Sequence, residues 1–321
     1  MALLHALPAT LLLSLLGAPS SATPSGWKPA AAPPPSAWAR AGARPWAVCE
    51  ELGRQAIALG NGGAPRGETG LDDNSVWLER VRRCPTVPGL LVLAARLELV
   101  SAGDVGFVHE PGTSVDAVVA DHRERVERAA QWAEAALQES ARRREPPPRE
   151  TRFVHAYALL ALGRTAQARA ALDRAIAAAE IERWRSDRMG AVIALLDGDL
   201  DGAMALAQRA TIDAPMDDRT ITRYIRAMVL DRAGASAAAR GELLDLRNEA
   251  GSIIARRATE SLLPVHERLY LRALDHQVAE DGGTALRLWD AYLSRSEPAE
   301  PERVLARRHR AELVRKPAPV R

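Results

Sequence analysis

Residues 198–215 read GDLDGAMALAQRATIDAP, and this stretch decides the fold. Gly198 is followed by Ala203, Ala207, Ala210 and Pro215 at offsets of five, nine, twelve and seventeen, and Ala191 stands seven residues before it. The same offsets recur around Gly163, with Ala156 before it and Ala168, Leu172 and Ala175 after it. They recur again around Gly234, with Ala227 before and Ala239, Leu243 and Leu246 after, so the glycines are spaced by 35 and then 36 residues. A glycine permits the left-handed turn between two antiparallel helices, and paired small residues let those helices approach closely. The larger residue nine positions on fills the space between hairpins. One hairpin cannot bury enough apolar surface to hold itself folded, so neighbours must stack.

Composition agrees with a helical chain. Of 321 residues, 47% are hydrophobic and 26% charged, which excludes global disorder and a polytopic membrane protein. Aromatics are only 4%, against a β-sandwich or barrel, and alanine abounds. A net charge of +2 gives no footprint for nucleic acid. The fold class expected is all-α.

The spacing and the small-Gly-small-small-Pro skeleton resemble the tetratricopeptide repeat family, whose helix-turn-helix unit has this period. The resemblance covers about 149–250 and extends toward 293, where Ala285, Trp289 and Tyr292 look like a degenerate second helix. It departs from the family near the start of each first helix, where Arg152, Asp187 and Arg223 stand in place of a bulky apolar residue, with Phe153 and Tyr224 one residue on. The resemblance implies an α-solenoid whose concave face is lined by first-helix residues. Here these include Phe153, Tyr157, Arg188, Val192, Tyr224 and Met228. Such a groove suits an extended peptide or a partner helix, the aromatics and Met giving contact area and Arg pairing a carboxylate.

Outward from the repeats, residues 1–22 read as a signal peptide. Leu3 to Gly17 is apolar but too short for a normal span, and Ser20-Ser21-Ala22 offers the small residues a signal peptidase inspects, although the start carries no Lys or Arg. Cleavage is expected after Ala22, leaving an exported chain, periplasmic or extracellular, with no stable membrane insertion. A Pro/Ala-rich linker occupies 23–44, with Trp27 and Trp38 in it and Trp46 just beyond. A helical section follows at 45–145, with helices at about 45–59, 74–84, 89–102 and 115–143, and Pro146-Pro147-Pro148 ends it. The repeat array takes 149–297, and 298–321 supplies a capping helix and tail.

Cys49, Leu52, Ala56 and Leu59 share one helical face, as do Trp77, Val81 and Cys84. Two inward-facing thiols on consecutive helices pair as a disulfide in an oxidising compartment; without export they are two buried reduced cysteines. A zinc site lacks ligands.

Catalytic signals do not survive inspection. His109-Glu110 lacks the second histidine of a zinc-protease helix, since position 113 is Thr. His122 and Glu124 resemble the first half of a zinc-deaminase motif whose PCxxC half is absent. There is no GxSxG elbow and no phosphate loop. Asp72-Asp73 and Asp217-Asp218 read as helix caps. The basic clusters at 142–144, 256–257 and 307–310 are interleaved with Glu and read as solvated helix faces and ends. The expected role is a non-catalytic protein-interaction scaffold with a protein or peptide partner, no metal and no cofactor. The alternatives are a helical enzyme or carbohydrate-processing factor with its site in 45–145, using Glu110, His109 and His122, and a purely structural spacer.

Overall fold

The computed structural model describes residues 49–56, 81, 83–104, 115–249, 252–295 and 300–315. The signal peptide, the linker with its tryptophans, the 60–70 loop, Asp72-Asp73, His109 and Glu110 lie outside them. The described residues are helical, with no strand among them.

Residues 49–56 are helical, and a turn at 84–87 leads into α1 (Pro88–Asp104), which pairs with α2 (Val115–Arg143). Three hairpins follow: α3 (Thr151–Ala161) with α4 (Thr165–Ala177), α5 (Arg183–Leu196) with α6 (Leu200–Asp213), and α7 (Met216–Arg232) with α8 (Ser236–Arg247). Then come α9 (Ser252–Leu262), the pair α10 (Val265–Val278) and α11 (Gly282–Ser294), and α12 (Glu300–Arg315), which packs on α11. The helices expected at 89–102 and 115–143 match α1 and α2 closely.

The three repeat glycines occupy equivalent bends. Gly163, Gly198 and Gly234 have φ of +73°, +79° and +83°, and a Cβ built on any of them would meet nothing within 4 Å. What selects glycine there is therefore backbone conformation and not space. Each bend closes in the same way: Arg164, Asp199 and Ala235 donate their N–H to the carbonyls of Leu159, Ala194 and Leu230, the Schellman closure of a helix end. The small residues at the repeated offsets are buried throughout, among them Ala156, Ala191, Ala227, Ala168, Ala203 and Ala239.

The pair α10–α11 is a fourth copy with altered spacing. Glu280 takes the left-handed position (φ +60°) and Asp281 N–H closes onto His276 O. Ala273 stands seven residues before Glu280, and Ala285, Trp289 and Tyr292 stand five, nine and twelve after it, all buried. Gly234 to Glu280 spans 46 residues in place of 35 or 36, and the excess is the length of α9.

The core is in two parts that share α2 and α3: Val118 of α2 joins the large core and the rest of its buried face the other. Phe153, Ala156, Leu159 and Leu160 of α3 join the large core running to Tyr292 and Ala306, while Val154, Ala158 and Ala161 join the core of α1, α2 and the 49–56 helix. The proline link at 146–148 thus interrupts the helices without separating the packing.

Cys49 and Cys84 form a disulfide, with an S–S distance of 2.01 Å. The 49–56 helix is also held by Arg143, whose guanidinium donates to Glu50 (2.8 Å) and to the Thr86 carbonyl. Reduction of this bond is expected to destabilise the chain by roughly 3–4 kcal/mol through the restored freedom of the 35-residue loop. The urea midpoint with and without dithiothreitol measures it, and a Cys49→Ser/Cys84→Ser chain should be insensitive to the reductant.

Candidate functional site

The six first-helix residues expected to line a groove are brought together, but none is an open surface. Phe153, Val192, Tyr224 and Met228 are buried, Tyr157 is half-buried, and Arg188 keeps only 8% of its surface. Their burial overturns the expected groove: α9 packs on the helices that carry Tyr157 and Tyr224, Asp218 and Trp184 enclose Arg188, and Arg185 lies over Phe153. Helix α9 packs against α3, α7 and α1 instead of extending the stack, while α10 takes the next place against α8.

Helix α9 contributes Ala255 and Leu262 to the large apolar core and adds polar contacts around them. Ser261 Oγ and Tyr157 Oη lie 2.5 Å apart, and Thr259 Oγ1 donates to the Ile221 carbonyl at 3.1 Å. Glu260 is fully buried and accepts from Arg272 Nε (2.8 Å) and Nη2 (2.5 Å), with Arg256 at 3.5 Å and Arg268 at 3.9 Å. Arg256 also reaches Asp275, which Arg247 meets at 3.0 Å. Burial by itself would raise the Glu260 carboxyl, but Arg272, Arg268 and Arg256 outweigh it and hold it below the usual carboxylate range. Burial pushes the Tyr157 and Tyr224 hydroxyls up, Tyr224 to about 12, so both stay protonated.

At the entrance to the first helices, Glu150 (φ +68°) gathers Arg96 (2.5 Å) and Arg185 (2.5 Å), and Arg185 lies 4.6 Å over the Phe153 ring. Arg188 meets Asp218 at 3.4 Å and lies 5.0 Å over Trp184. Asp218 is thus an ion-pair partner inside the first turn of α7, not a loop cap. The charged residues standing where the family has bulky ones also have partners: Arg152 pairs with Glu180, Asp187 with Arg209 (3.3 Å), and Arg223 with Glu242 (2.5 Å) and Glu249. In the fourth hairpin the equivalent position is Leu269, fully buried. In the second and third hairpins an ion pair thus joins the two helices, in the first Arg152 reaches Glu180 just beyond α4, and the fourth uses a leucine at this position.

His122, a candidate for the enzymatic alternative, is 1% exposed and sits where α1 and α2 meet α10. Arg268 of α10 donates to the Ala102 carbonyl of α1 at 2.9 Å and lies against His122 Nδ1 of α2. Burial first, and Arg268 second, push His122 down to about 3. The imidazole is neutral in the folded chain down to that value, whereas in the unfolded chain it takes a proton below about 6.5. Stability is therefore expected to fall as the pH drops through the unfolded value, by about 2 kcal/mol from this group between pH 7 and 5. His122→Asn, which keeps a polar atom near the Nδ1 position, should flatten that part of the profile of unfolding free energy against pH.

The basic clusters are largely matched by acids. Arg142 and Arg143 meet Glu139, Arg308 meets Glu312, and Arg310 meets Asp290 at 2.5 Å. His309 turns inward, stacks on Trp289 at 5.1 Å and bonds to Asp231 at 2.9 Å, so it docks the final helix. Among the described residues no group of three or more His, Cys, Asp or Glu is placed to hold a metal ion. Nor is any described helix long and apolar enough to cross a membrane.

No family model, curated protein or solved structure matches this chain. Its function has to be argued from its own residues.

The sequence identified the first-helix residues that assemble but missed what sits on them. One signal was present: no glycine stands at 269 or 270, one period beyond Gly234, and the skeleton resumes only around Glu280.

Proposed function

We propose that this is an exported, non-catalytic, tetratricopeptide-repeat-like α-solenoid that works as a protein–protein interaction scaffold of the bacterial envelope or exterior. One observation carries the reading: the first helices of successive hairpins bring Tyr157, Tyr224 and their neighbouring arginines to one face, and that face holds a helix through side-chain contacts. Helix recognition of this kind uses aromatic contact area and arginine–carboxylate pairing, both supplied here. The Cys49–Cys84 disulfide supports an oxidising compartment.

The test is crosslinking in the native cell envelope, with the mature N-terminus sequenced in the same preparation. Any partner recovered is then titrated against the purified chain. Saturable one-site binding by a chain that begins near residue 23 supports the proposal. A chain recovered alone, or an activity lost on substitution of His109, Glu110 or His122, turns the reading toward the spacer or the enzyme in 45–145.

A further inference from the structure

Three consecutive second helices each leave one large apolar side chain at least half exposed near their C-terminal end: Ile176 in α4, Ile212 in α6 and Leu244 in α8. Met216, the first residue of α7, is 80% exposed and follows Ile212 across the Ala214-Pro215 link. An exposed aspartate accompanies each of the three: Asp173 by Ile176, Asp213 by Ile212 and Asp245 by Leu244. None of these carboxylates forms an ion pair among the described residues. Single exposed apolar residues are ordinary on a protein surface. An aliphatic side chain beside an unpaired carboxylate, repeated at the same end of three hairpins, is a patterned surface.

The described chain begins at that same end of the stack. Successive helices from α1 to α8 are antiparallel neighbours joined by short links, so α2, α4, α6 and α8 run the same way. Cys49 and Glu50 are fixed at the C-terminal end of α2, by the disulfide to Cys84 and by Arg143, the last residue of α2, which donates to Glu50 at 2.8 Å. The link after α2 touches the link after α4, where Arg149 reaches the Glu180 carbonyl (3.3 Å) and Glu182 (3.5 Å). The next link carries Ile212 and Met216. The chain ahead of Cys49 therefore leaves the fold at the head of the row.

Residues 23–48, which lie outside the described residues, read TPSGWKPAAAPPPSAWARAGARPWAV. They hold three tryptophans, three cations and no acid, and each tryptophan has a cation within two residues: Trp27 with Lys28, Trp38 with Arg40 and Trp46 with Arg44. An apolar ring beside a cation is the complement of an aliphatic residue beside an aspartate. We infer that this segment docks in cis along the row, with Trp46 on Ile176, Trp38 on Ile212 and Met216, and Trp27 on Leu244. The reach suffices. Packed helices are about 10 Å apart, so the row starts about 10 Å from the end of α2 and extends to about 30 Å. At about 3.3 Å per residue, Trp46, Trp38 and Trp27 stand up to about 10, 36 and 73 Å from Cys49.

Tryptophan is suited to such a contact because it buries a large area while only two torsions are fixed. The prolines of the segment restrict it before it docks, which lowers the ordering cost. The disulfide and Arg143 hold the point of departure next to the row, so the segment competes at a high local concentration. The inference goes beyond the scaffold reading: it gives the outer row of the array to the chain's own N-terminal segment and leaves other faces to a partner.

The experiment uses the chain from Thr23 to Arg321. Trypsin has one cleavable bond in the segment, Arg40–Ala41, because prolines follow Lys28 and Arg44. Release of the 23–40 fragment is expected to be at least ~10-fold faster in the Ile212→Glu/Met216→Glu chain and in the Trp38→Ala chain than in the wild-type chain, since cutting tracks the undocked fraction. Photoactivated p-benzoylphenylalanine in place of Ile212 is expected to crosslink to residues 23–48 of the same molecule, and in place of Arg308 on α12 it is expected not to. Circular dichroism checks that the double variant folds; if it does not, Trp38→Ala carries the protease arm alone. Equal release from the variant and wild-type chains would overturn the inference. So would a probe at 212 that crosslinks to no residue of 23–48, or only to the segment of a second, isotope-labelled copy. The scaffold reading is decided separately, by whether a saturable partner is recovered.

Discussion

Replacing Trp289 by alanine is expected to lower the unfolding free energy by about 3–5 kcal/mol, the range for emptying a fully packed large aromatic site. Trp289 is fully buried at the point where the fourth hairpin meets the final helix. Its ring stands edge-on to Tyr270 (5.1 Å) and Tyr292 (6.1 Å), stacks on His309, and its Nε1 donates to Gln277 at 3.3 Å. The substitution removes the neighbour of three rings on three helices, and they cannot collapse together without moving the helices. Chemical denaturation followed by far-ultraviolet circular dichroism measures the loss. Trp289→Phe should recover much of it, because a ring keeps the edge-to-face contacts. A Trp289→Ala chain with an unchanged urea midpoint would show that the fourth hairpin is not part of the cooperative fold.

The second large effect is at Arg232. Its guanidinium closes α7 onto α10 and α12, donating to Glu267 (2.5 Å) and Glu302 (2.7 Å) and lying 4.8 Å from the Tyr270 centroid. Burial by itself would raise the Glu267 carboxyl, but Arg232 and His266 hold it down, to about 2. Arg232→Ala leaves that carboxylate buried without its guanidinium and is expected to cost about 3–5 kcal/mol. The double change Arg232→Met/Glu267→Leu removes both charges, keeps apolar volume, and is expected to regain most of the loss. Denaturation of the two single variants and the double variant closes the cycle, and a double variant as unstable as the sum of its parts would contradict this account. The pH dependence should change with it. A carboxyl held near 2 contributes stability above its unfolded value, lost as the pH falls toward 2; in Arg232→Ala that contribution shrinks.

Local features of this protein were legible in its sequence for a simple reason. Gly163, Gly198 and Gly234 announce left-handed turns because few other residues adopt that conformation cheaply, and the alanines seven before and five after them mark helices in close approach. The inward stripes of Cys49 and Cys84 followed from helical periodicity, and the disulfide agrees with them. The fourth bend was less visible because Glu280 fills it in place of glycine, and its partners Trp289 and Tyr292 are larger than the small residues of the other copies.

The amino-acid sequence alone determined the helical class, the hairpin period and the residues that meet within each hairpin, since these depend on φ preferences and spacings a few residues long. Only the tertiary structure decided that α9 packs on α1, α3 and α7, that Glu260 settles among Arg272, Arg268 and Arg256, and that Arg268 joins α10 to α1 at Ala102. Those outcomes turn on which charged groups find a partner once water is excluded. A buried charge is tolerated only beside its opposite or a hydrogen-bonding group; whether Glu260 turns toward α10, and which carbonyl 166 residues back meets Arg268, is set by how the hairpins pack, which no short pattern in the chain records.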